Sequence, residues 1–198
     1  MLIAFNKPCG VLPVFVPDGS RNRTLAEFGF PRKVYPIGRL DADSEGLLLL
    51  SDEPEWNARL LEPTRAHPRE YWAQVERAPG ADALHRLEHG VVVQGRRTLG
   101  CRAWVLDPQP ELPPRDPPIR FRKNVPTLWI GLELVEGKNR QVRRMTAAVG
   151  HPTLRLVRVR IGDYTMANLK AGAWKVLSEE ERAQVRGGSL HRGGTEPW

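Results

Sequence analysis

The spacing of apolar residues indicates most of the strands of this chain. Residues 2–6 form a short apolar run that stops at a lysine and a proline, as expected of an opening strand. Residues 46–50 are almost entirely leucine, which is typical of a strand buried on both faces. Alternating apolar and polar side chains predict strands at 70–77 and 127–135. Shorter runs predict three more strands, of which we expect the first two to pair: 91–93, 101–106 and 173–177.

One further strand, expected at 153–161, changes the parity of its apolar side chains. Leu154 and Leu156 fall on one face of a regular strand, and the apolar residues that follow fall on the other: Val157, Val159 and Ile161. The change predicts either a β-bulge near Leu156 or a strand that is partly covered on both faces.

Helical periodicity predicts four helices between these strands. Residues 54–61 place Trp56 and Leu60 at helical spacing behind a proline that suits a helix start. The other three are expected at 81–89, 138–149 and 179–185, and glycines follow the first two of these. Many strands with a few helices between them favour an α+β fold with a mixed, mostly antiparallel central sheet and flanking helices.

Length and composition bear on domain organisation. With 198 residues and 40% apolar content, the chain can bury a sizeable core. We expect one domain over residues 1–186, built in one piece or from two subdomains, and a disordered glycine-rich tail over 187–198. Residues 107–118 contain six prolines and predict an extended loop. This loop is either an arm that binds a partner or a plain surface crossover.

The charge distribution points to an anionic partner. Lysines and arginines number 30 against 23 acids, a net charge of +7. Eleven of these bases and three of these acids lie between Arg115 and Arg160, so this segment alone carries +8 and the rest of the chain −1. Arginine predominates in the segment, and its planar guanidinium binds oxyanions through two parallel hydrogen bonds. The pattern favours a polyanion such as a nucleic acid.

Cysteine usage and hydropathy bear on the compartment. Cys9 and Cys101 are too few, and too far apart in sequence, for a disulfide framework or a zinc site. The longest leucine run has four residues, far fewer than the roughly 20 apolar residues that cross a bilayer. The first residues show no signal-peptide pattern. We therefore expect a cytoplasmic protein that does not contact a membrane.

Four carboxylates crowd residues 38–52, around the start of the leucine run. Residues 38–46 read Gly-Arg-Leu-Asp-Ala-Asp-Ser-Glu-Gly. One explanation is a calcium loop, because Asp41, Asp43 and Glu45 match the first ligand positions of an EF-hand. It is disfavoured, because the final ligand position holds aspartate instead of glutamate and a proline and a glycine stand where a helix should enter. Two explanations stay open: a reactive carboxylate, Asp41, held by an arginine, and a solvated acidic turn that caps a strand.

The predicted helix at 138–149 separates its arginines from its apolar residues. Arg140 and Arg144 lie opposite the buried stripe, which consists of Val142, Met145, Thr146 and Val149. Arg143 lies at the border, where it is either a surface arginine or one whose guanidinium reaches into a cleft. Tyr71, on a predicted strand, is by default a half-buried core tyrosine.

Three motifs, in this order along the chain, resemble those of a known family. They are Gly38-Arg39-Leu40-Asp41 followed by Asp43-Ser44-Glu45-Gly46-Leu47, the strand tyrosine Tyr71, and Glu-Gly-Lys-Asn-Arg-Gln-Val-Arg-Arg-Met over residues 136–145. Together they resemble the motifs of the RsuA/RluB/RluE group of RNA pseudouridine synthases, over about residues 2–176. The runs at 114–120, 152–156 and 162–164 are similar to the E-type large-subunit enzymes of that group. Most of the group carries an N-terminal S4-type RNA-binding domain, and we expect none in this chain, which begins on the first predicted strand.

The resemblance implies an isomerase that converts a specific uridine of 23S ribosomal RNA into pseudouridine without cofactor, metal or energy input. It implies that Asp41 is the catalytic carboxylate, acting on the ribose or on the uracil ring. It further implies that Tyr71 stacks on the uracil and assists a proton transfer, and that Arg143 pairs with Asp41. The alternative is a non-catalytic RNA-binding module that acts in ribosome assembly.

The same resemblance implies the partner and the residues that contact it. The expected partner is large-subunit ribosomal RNA or its precursor particle, bound by a monomer. The target base must leave its stack to be reached, and basic side chains must hold the surrounding phosphates. The residues expected to contact the RNA are Arg39, Lys138, Arg140, Arg144, Arg155, Arg158 and Arg160.

Overall fold

A computed structural model describes residues 1–119, 125–166 and 168–187, and a large sheet forms its centre. The strands are β1 (Leu2–Lys7), β2 (Tyr35–Pro36), β3 (Glu45–Ser51), β4 (Arg69–Glu76), β5 (Val92–Val93), β6 (Arg96–Arg97), β7 (Arg102–Val105), β8 (Thr127–Leu134), β9 (Thr153–Ile161), β10 (Tyr164–Thr165) and β11 (Trp174–Val176). The helices are α1 (Glu55–Leu61), α2 (Ala81–Glu88), α3 (Gln141–Ala148) and α4 (Glu179–Arg186). None of the described helices has the length and apolar character to span a bilayer. Of the predicted tail, all but Gly187 lies outside the described residues.

The sheet has the predicted mixed, mostly antiparallel character. Its main path runs β11-β1-β3-β9-β4-β8-β7, with β2 added beside β3 and β10 beside β9. Among the strands given above, β3 and β9 pair in parallel and every other strand pair of the described residues is antiparallel. This central parallel pair places the start of β3, and therefore the acidic turn before it, beside the basic strand β9. The α+β class predicted from the sequence is confirmed.

The leucine run in β3 is buried on both faces, as its continuous apolar character predicts. Leu47 and Leu49 pack in a cluster that also holds Trp56 of α1 and Val185 of α4. Leu48 and Leu50 pack on the other face with residues of the segment between β1 and β3. A third cluster joins β4, β8 and β9 to α2 and α3. The acidic turn thus leads directly into a rigid central strand.

Strand β9 shows two register shifts against β4, one opposite Glu70/Tyr71 and one opposite Gln74/Val75. The shifts skip residues 159 and 154, whereas Leu156 itself pairs with Ala73. The bulge predicted near Leu156 is therefore displaced to either side of it. Because Arg158 pairs with Tyr71 and Arg160 with the preceding Glu70, these two arginines lie on opposite faces of the sheet.

The predicted pairing of residues 91–93 with 101–106 is wrong. Strand β5 pairs with β6 in a separate hairpin, and β7 joins the main sheet beside β8. The reason is local. Gln94 and Gly95 both have positive φ, 51° and 75°, which is the two-residue turn that closes a hairpin.

The buried His67, just before β4, is expected to make the protein less stable in acid. Burial lowers the pKa of His67 to about 4, and the charge of Arg69 acts in the same direction. The unfolded histidine titrates near 6.5, so the unfolded state binds more protons between pH 6.5 and 4, and stability falls as the pH falls. We expect His67→Leu to remove this loss, raising the unfolding free energy relative to wild type by about 2–3 kcal/mol between pH 7 and 4.

Urea unfolding at a series of pH values measures this effect. The control variant is His89→Gln, which removes a histidine that is exposed instead of buried. A constant difference between His67→Leu and wild type across the pH range would contradict the assignment.

Candidate active site

The acidic turn and the start of the arginine helix meet at one end of β3. Arg140 donates from Nη1 to Oδ1 of Asp43 at 3.0 Å and from Nη2 to Oδ2 at 2.8 Å. Its Nη1 also lies 3.7 Å from Oδ2 of Asp41. Residues almost a hundred positions apart thus form one charged cluster. It lies beside a cleft of about 660 Å³ that is lined in part by Ala42, Asp43 and Arg140.

Helix α3 begins at Gln141, three residues later than the sequence predicts. Arg140, at the N-cap, has a left-handed backbone with φ 52°. The side-chain Oε1 of Gln141 accepts a hydrogen bond from the backbone N–H of Lys138 at 2.9 Å, which closes the preceding turn. A left-handed backbone is uncommon for arginine and is usually imposed by the surrounding structure. Here it takes Arg140 out of the helix at the position where its side chain reaches the acidic turn.

Arg143 braces the backbone of the acidic turn and does not form the predicted ion pair with Asp41. Its Nη2 donates to the backbone O of Asp43 at 2.8 Å, and its Nη1 donates to the backbone O of Thr153 at 3.3 Å. Its Nε lies 3.5 Å from Oδ2 of Asp43. Burial lowers the pKa of the Arg143 guanidinium, while the charge of Asp43 opposes that change. The prediction is corrected because Arg140, outside the helix, approaches Asp41 instead.

Asp41 has the weakest contact with an arginine among the three carboxylates at 41–45. Burial alone would raise the pKa of Asp43, but the hydrogen bonds from Arg140 and the charge of Arg143 hold it below its ordinary value. Glu45 accepts two hydrogen bonds of 2.8 Å from Arg155. The side chain of Asp41 is 25% exposed, and its described ion-pair contact is the 3.7 Å approach of Arg140. Asp43 and Glu45 thus face guanidinium groups, which opposes the calcium explanation, and Asp41 remains open to a ligand.

Lys7 contributes hydrogen bonds that hold the acidic turn in place. Its buried Nζ donates to the backbone O atoms of Pro8 at 2.9 Å, Val11 at 2.8 Å and Ala42 at 3.4 Å. Burial lowers the pKa of Lys7 to about 8. Lys7 therefore links the end of β1 to the residue between Asp41 and Asp43. Sequence reasoning missed this role, and its only signal was a lysine at the end of an apolar strand.

Tyr71 lies two strands away from the start of β3, because it pairs with Arg158 of β9 and Arg158 pairs with Gly46 of β3. Its half-buried side chain packs against the apolar cluster that contains Leu40 and also against the cluster that contains Val142. These two residues directly precede Asp41 and Arg143. The structure thus brings the aromatic side chain and both charged groups to the same region, although they come from three separate motifs.

Three arginines of β9 that were predicted to contact RNA are buried, and the structure corrects that prediction. Arg155, Arg158 and Arg160 are 8%, 4% and 5% exposed. Arg155 pairs with Glu45, and Arg160 pairs with Glu70 and Glu133. Acidic residues on β3, β4 and β8 neutralise these two side chains, so the alternating basic residues of β9 do not form a solvent-facing surface.

Arg158 has a different role from its two neighbours. Its Nε donates to the backbone O of Leu47 at 2.7 Å, and its Nη1 lies 3.5 Å from the backbone O of Arg39. Within the described residues, its Nη2 has no hydrogen-bond partner. Arg158 therefore ties the turn that carries Asp41 to the sheet, on the face that also carries Tyr71.

The other predicted RNA contacts lie nearer the surface. Arg39, Lys138 and Arg140 are exposed, although Lys138 lies 3.2 Å from Glu136. Arg144 is half-buried and donates hydrogen bonds to Gln94 and Asn139. These four residues remain candidates for binding phosphates.

Known proteins are similar to this chain in sequence and in fold. Residues 1–148 match the family model described as RNA pseudouridylate synthase. The chain is 55% identical over 168 residues to Ribosomal large subunit pseudouridine synthase E of Xanthomonas axonopodis pv. citri, covering 84% of this chain and 88% of that protein. It is 45% identical over 176 residues to the protein of the same name from Vibrio parahaemolyticus, covering 89% and 73%. Its fold is similar to a crystal structure of a pseudouridylate synthase, with a TM-score of 0.75 at 24% identity, covering 93% of this chain and 73% of that one. The chain belongs to the RNA pseudouridylate synthase family.

Proposed function

We propose that this protein isomerises a specific uridine of 23S ribosomal RNA to pseudouridine, with Asp41 as the catalytic carboxylate. Relatives that are 45–55% identical over most of their length carry the name Ribosomal large subunit pseudouridine synthase E, which supports a large-subunit substrate. The observation that carries the proposal for Asp41 is its openness, since the neighbouring Asp43 and Glu45 are held by arginines. Family membership favours an isomerase over the non-catalytic RNA-binding module.

The reaction is an intramolecular transfer. The bond between uracil N1 and ribose C1′ breaks, the base turns, and C5 bonds to C1′. The proton lost from C5 is balanced by a proton gained at N1, so no electron acceptor or energy source is needed. Asp41 acts on the ribose or on the uracil ring. Tyr71 stacks on the base and assists the proton transfer, while Arg143 acts through the backbone of the turn that it braces.

RNA binding rests on the exposed basic residues around the turn. The target uridine must leave its stack, at a cost of roughly a few kcal/mol, and contacts to the flanking phosphates offset this cost. Arg39, Lys138, Arg140 and Arg144 supply these contacts, with the ionic-strength dependence that phosphate contacts bring. We propose that the protein acts in the cytoplasm as a monomer, on ribosomal RNA or on its precursor particle.

Incubation of the purified protein with unmodified ribosomal RNA tests this function. Transcripts of 23S and 16S RNA are incubated with the protein, and pseudouridine is then mapped by chemical labelling and reverse transcription. We expect one modified uridine in 23S RNA and none in 16S RNA. Absence of modification in both the 23S transcript and isolated large-subunit precursor particles would overturn the proposal.

A further inference from the structure

The proline-rich loop between β7 and β8 is anchored at two points. The side-chain Oε1 of Gln109 accepts from the backbone N of Trp129 at 2.7 Å, and its Nε2 donates to the backbone O of Trp129 at 3.2 Å. Further on, the backbone O of Pro113 accepts from Nη1 of Arg155 at 2.9 Å. The same Arg155 holds Glu45 at the end of the acidic turn. The loop is therefore fixed relative to the turn, which a free arm would not be.

Beyond the second anchor, the loop lines the cleft beside the acidic turn. Arg115, Asp116 and Pro117 contribute to the lining, together with residues 8–10, residues 21–23 and the turn itself. Because Ala42 and Asp43 belong to this lining, the cleft begins one residue from Asp41. A polymer whose reacting unit lies at Asp41 must therefore place an adjacent unit in or along the cleft.

The cleft carries a net positive charge. Its lining contains four arginines and two aspartates: Arg21, Arg23, Arg115, Arg140, Asp43 and Asp116. Arg140 is held by Asp43, and Arg23 lies 2.9 Å from Glu27. Within the described residues, Arg115 has no carboxylate within 4 Å, and its hydrogen bond is from Nε to the backbone O of Pro117 at 2.8 Å. Its two terminal nitrogens have no hydrogen-bond partner in the part of the chain that the structure describes, and a guanidinium suits the two oxygens of a phosphate.

We propose that this cleft is a subsite for a nucleotide that flanks the target uridine, and that Arg115 contacts its phosphate. The inference deepens the proposed function and rests on it. The anchoring of the loop by Gln109 and Arg155 places Arg115 at a fixed position beside the turn, so the flanking phosphate also helps to orient the uridine toward Asp41. The loop is then part of the RNA-binding site and not a plain crossover. The positive charge of the cleft favours an RNA strand over a protein segment.

The first test compares arginine variants for RNA binding and turnover. Arg115→Ala should weaken binding of a 23S RNA fragment about tenfold, raise KM, and reduce the slope of log Kd against log salt by roughly 0.7. Arg115→Lys should restore the slope, because one cation remains. The control is Arg65→Ala, which removes an exposed arginine that pairs with Glu62 and does not line the cleft. Equal binding by Arg115→Ala and Arg65→Ala would overturn the inference.

The second test locates the phosphate. A series of RNA fragments carries one neutral methylphosphonate linkage at each of the positions close to the target uridine. One linkage should weaken binding to wild type but leave binding to Arg115→Ala unchanged, which is the signature of a direct contact in a double-mutant cycle. If wild type modifies the RNA but no linkage loses its effect in Arg115→Ala, the proposed subsite is wrong and the proposed function stands. If wild type modifies no RNA, the proposed function fails, and the binding comparison still decides the contact.

Discussion

Replacing Asp41 by asparagine is expected to lower the rate of pseudouridine formation by about a thousandfold or more. Asparagine keeps the size of the side chain but cannot supply the charge or accept a proton. Because Asp41 is partly exposed and its described ion-pair contact is a single distance of 3.7 Å, the unfolding free energy should change by less than about 1 kcal/mol. Single-turnover formation of pseudouridine and fluorescence anisotropy with a 23S RNA fragment measure turnover and binding separately.

Asp43→Asn is the matched control for this experiment. Asp43 belongs to the same turn, but its carboxylate is held by two hydrogen bonds from Arg140. We expect this variant to loosen the turn and to lower the rate far less than Asp41→Asn does. A rate for Asp41→Asn within tenfold of wild type, with a folded protein, would contradict the catalytic assignment.

Replacing Arg160 by methionine is expected to lower the unfolding free energy by about 3–5 kcal/mol. Arg160 is buried between Glu70 and Glu133, and Glu133 is itself buried. Without the guanidinium, two carboxylates are left close together without their buried counter-ion. Removing one partner of a buried ion pair is strongly destabilising, because the remaining charge has lost its solvent and its partner. Urea unfolding monitored by tryptophan fluorescence measures the loss.

Two further variants separate the ion pair from other causes. The double variant Arg160→Met/Glu133→Leu should recover most of the lost stability, since it also removes the buried charge of Glu133. Arg144→Ala, which removes a half-buried arginine that bonds only to uncharged groups among the described residues, should cost about 1 kcal/mol or less. A loss below 1 kcal/mol for Arg160→Met would restore the view of Arg160 as a surface residue available to RNA.

The elements that follow one periodicity were predictable from the sequence. The apolar patterns of β3, β4, β8 and α3 show which of their side chains are buried. A strand or helix with such a pattern must pack its apolar face against a neighbouring element. The hairpin of β5 and β6 was missed because its turn depends on two left-handed residues, Gln94 and Gly95, rather than on apolar spacing.

The sequence motifs proposed Asp41, Tyr71 and Arg143 as site residues, but they did not predict the ion pairs of the acidic turn. Which arginine approaches Asp41 depends on where α3 begins. The left-handed backbone of Arg140 sets this start, and no periodicity reports it. In the same way, the burial of the β9 arginines depends on acids from distant strands and on a bulge that sends Arg158 and Arg160 to opposite faces. Contacts between residues so far apart in sequence leave no local pattern.

A pseudouridine map of ribosomal RNA from cells that lack this protein tests the central claim most directly. We expect one pseudouridine to be missing from 23S RNA, to return when the wild-type protein is supplied, and to stay absent when Asp41→Asn is supplied at the same level. An unchanged map, or a site restored by Asp41→Asn, would contradict the account.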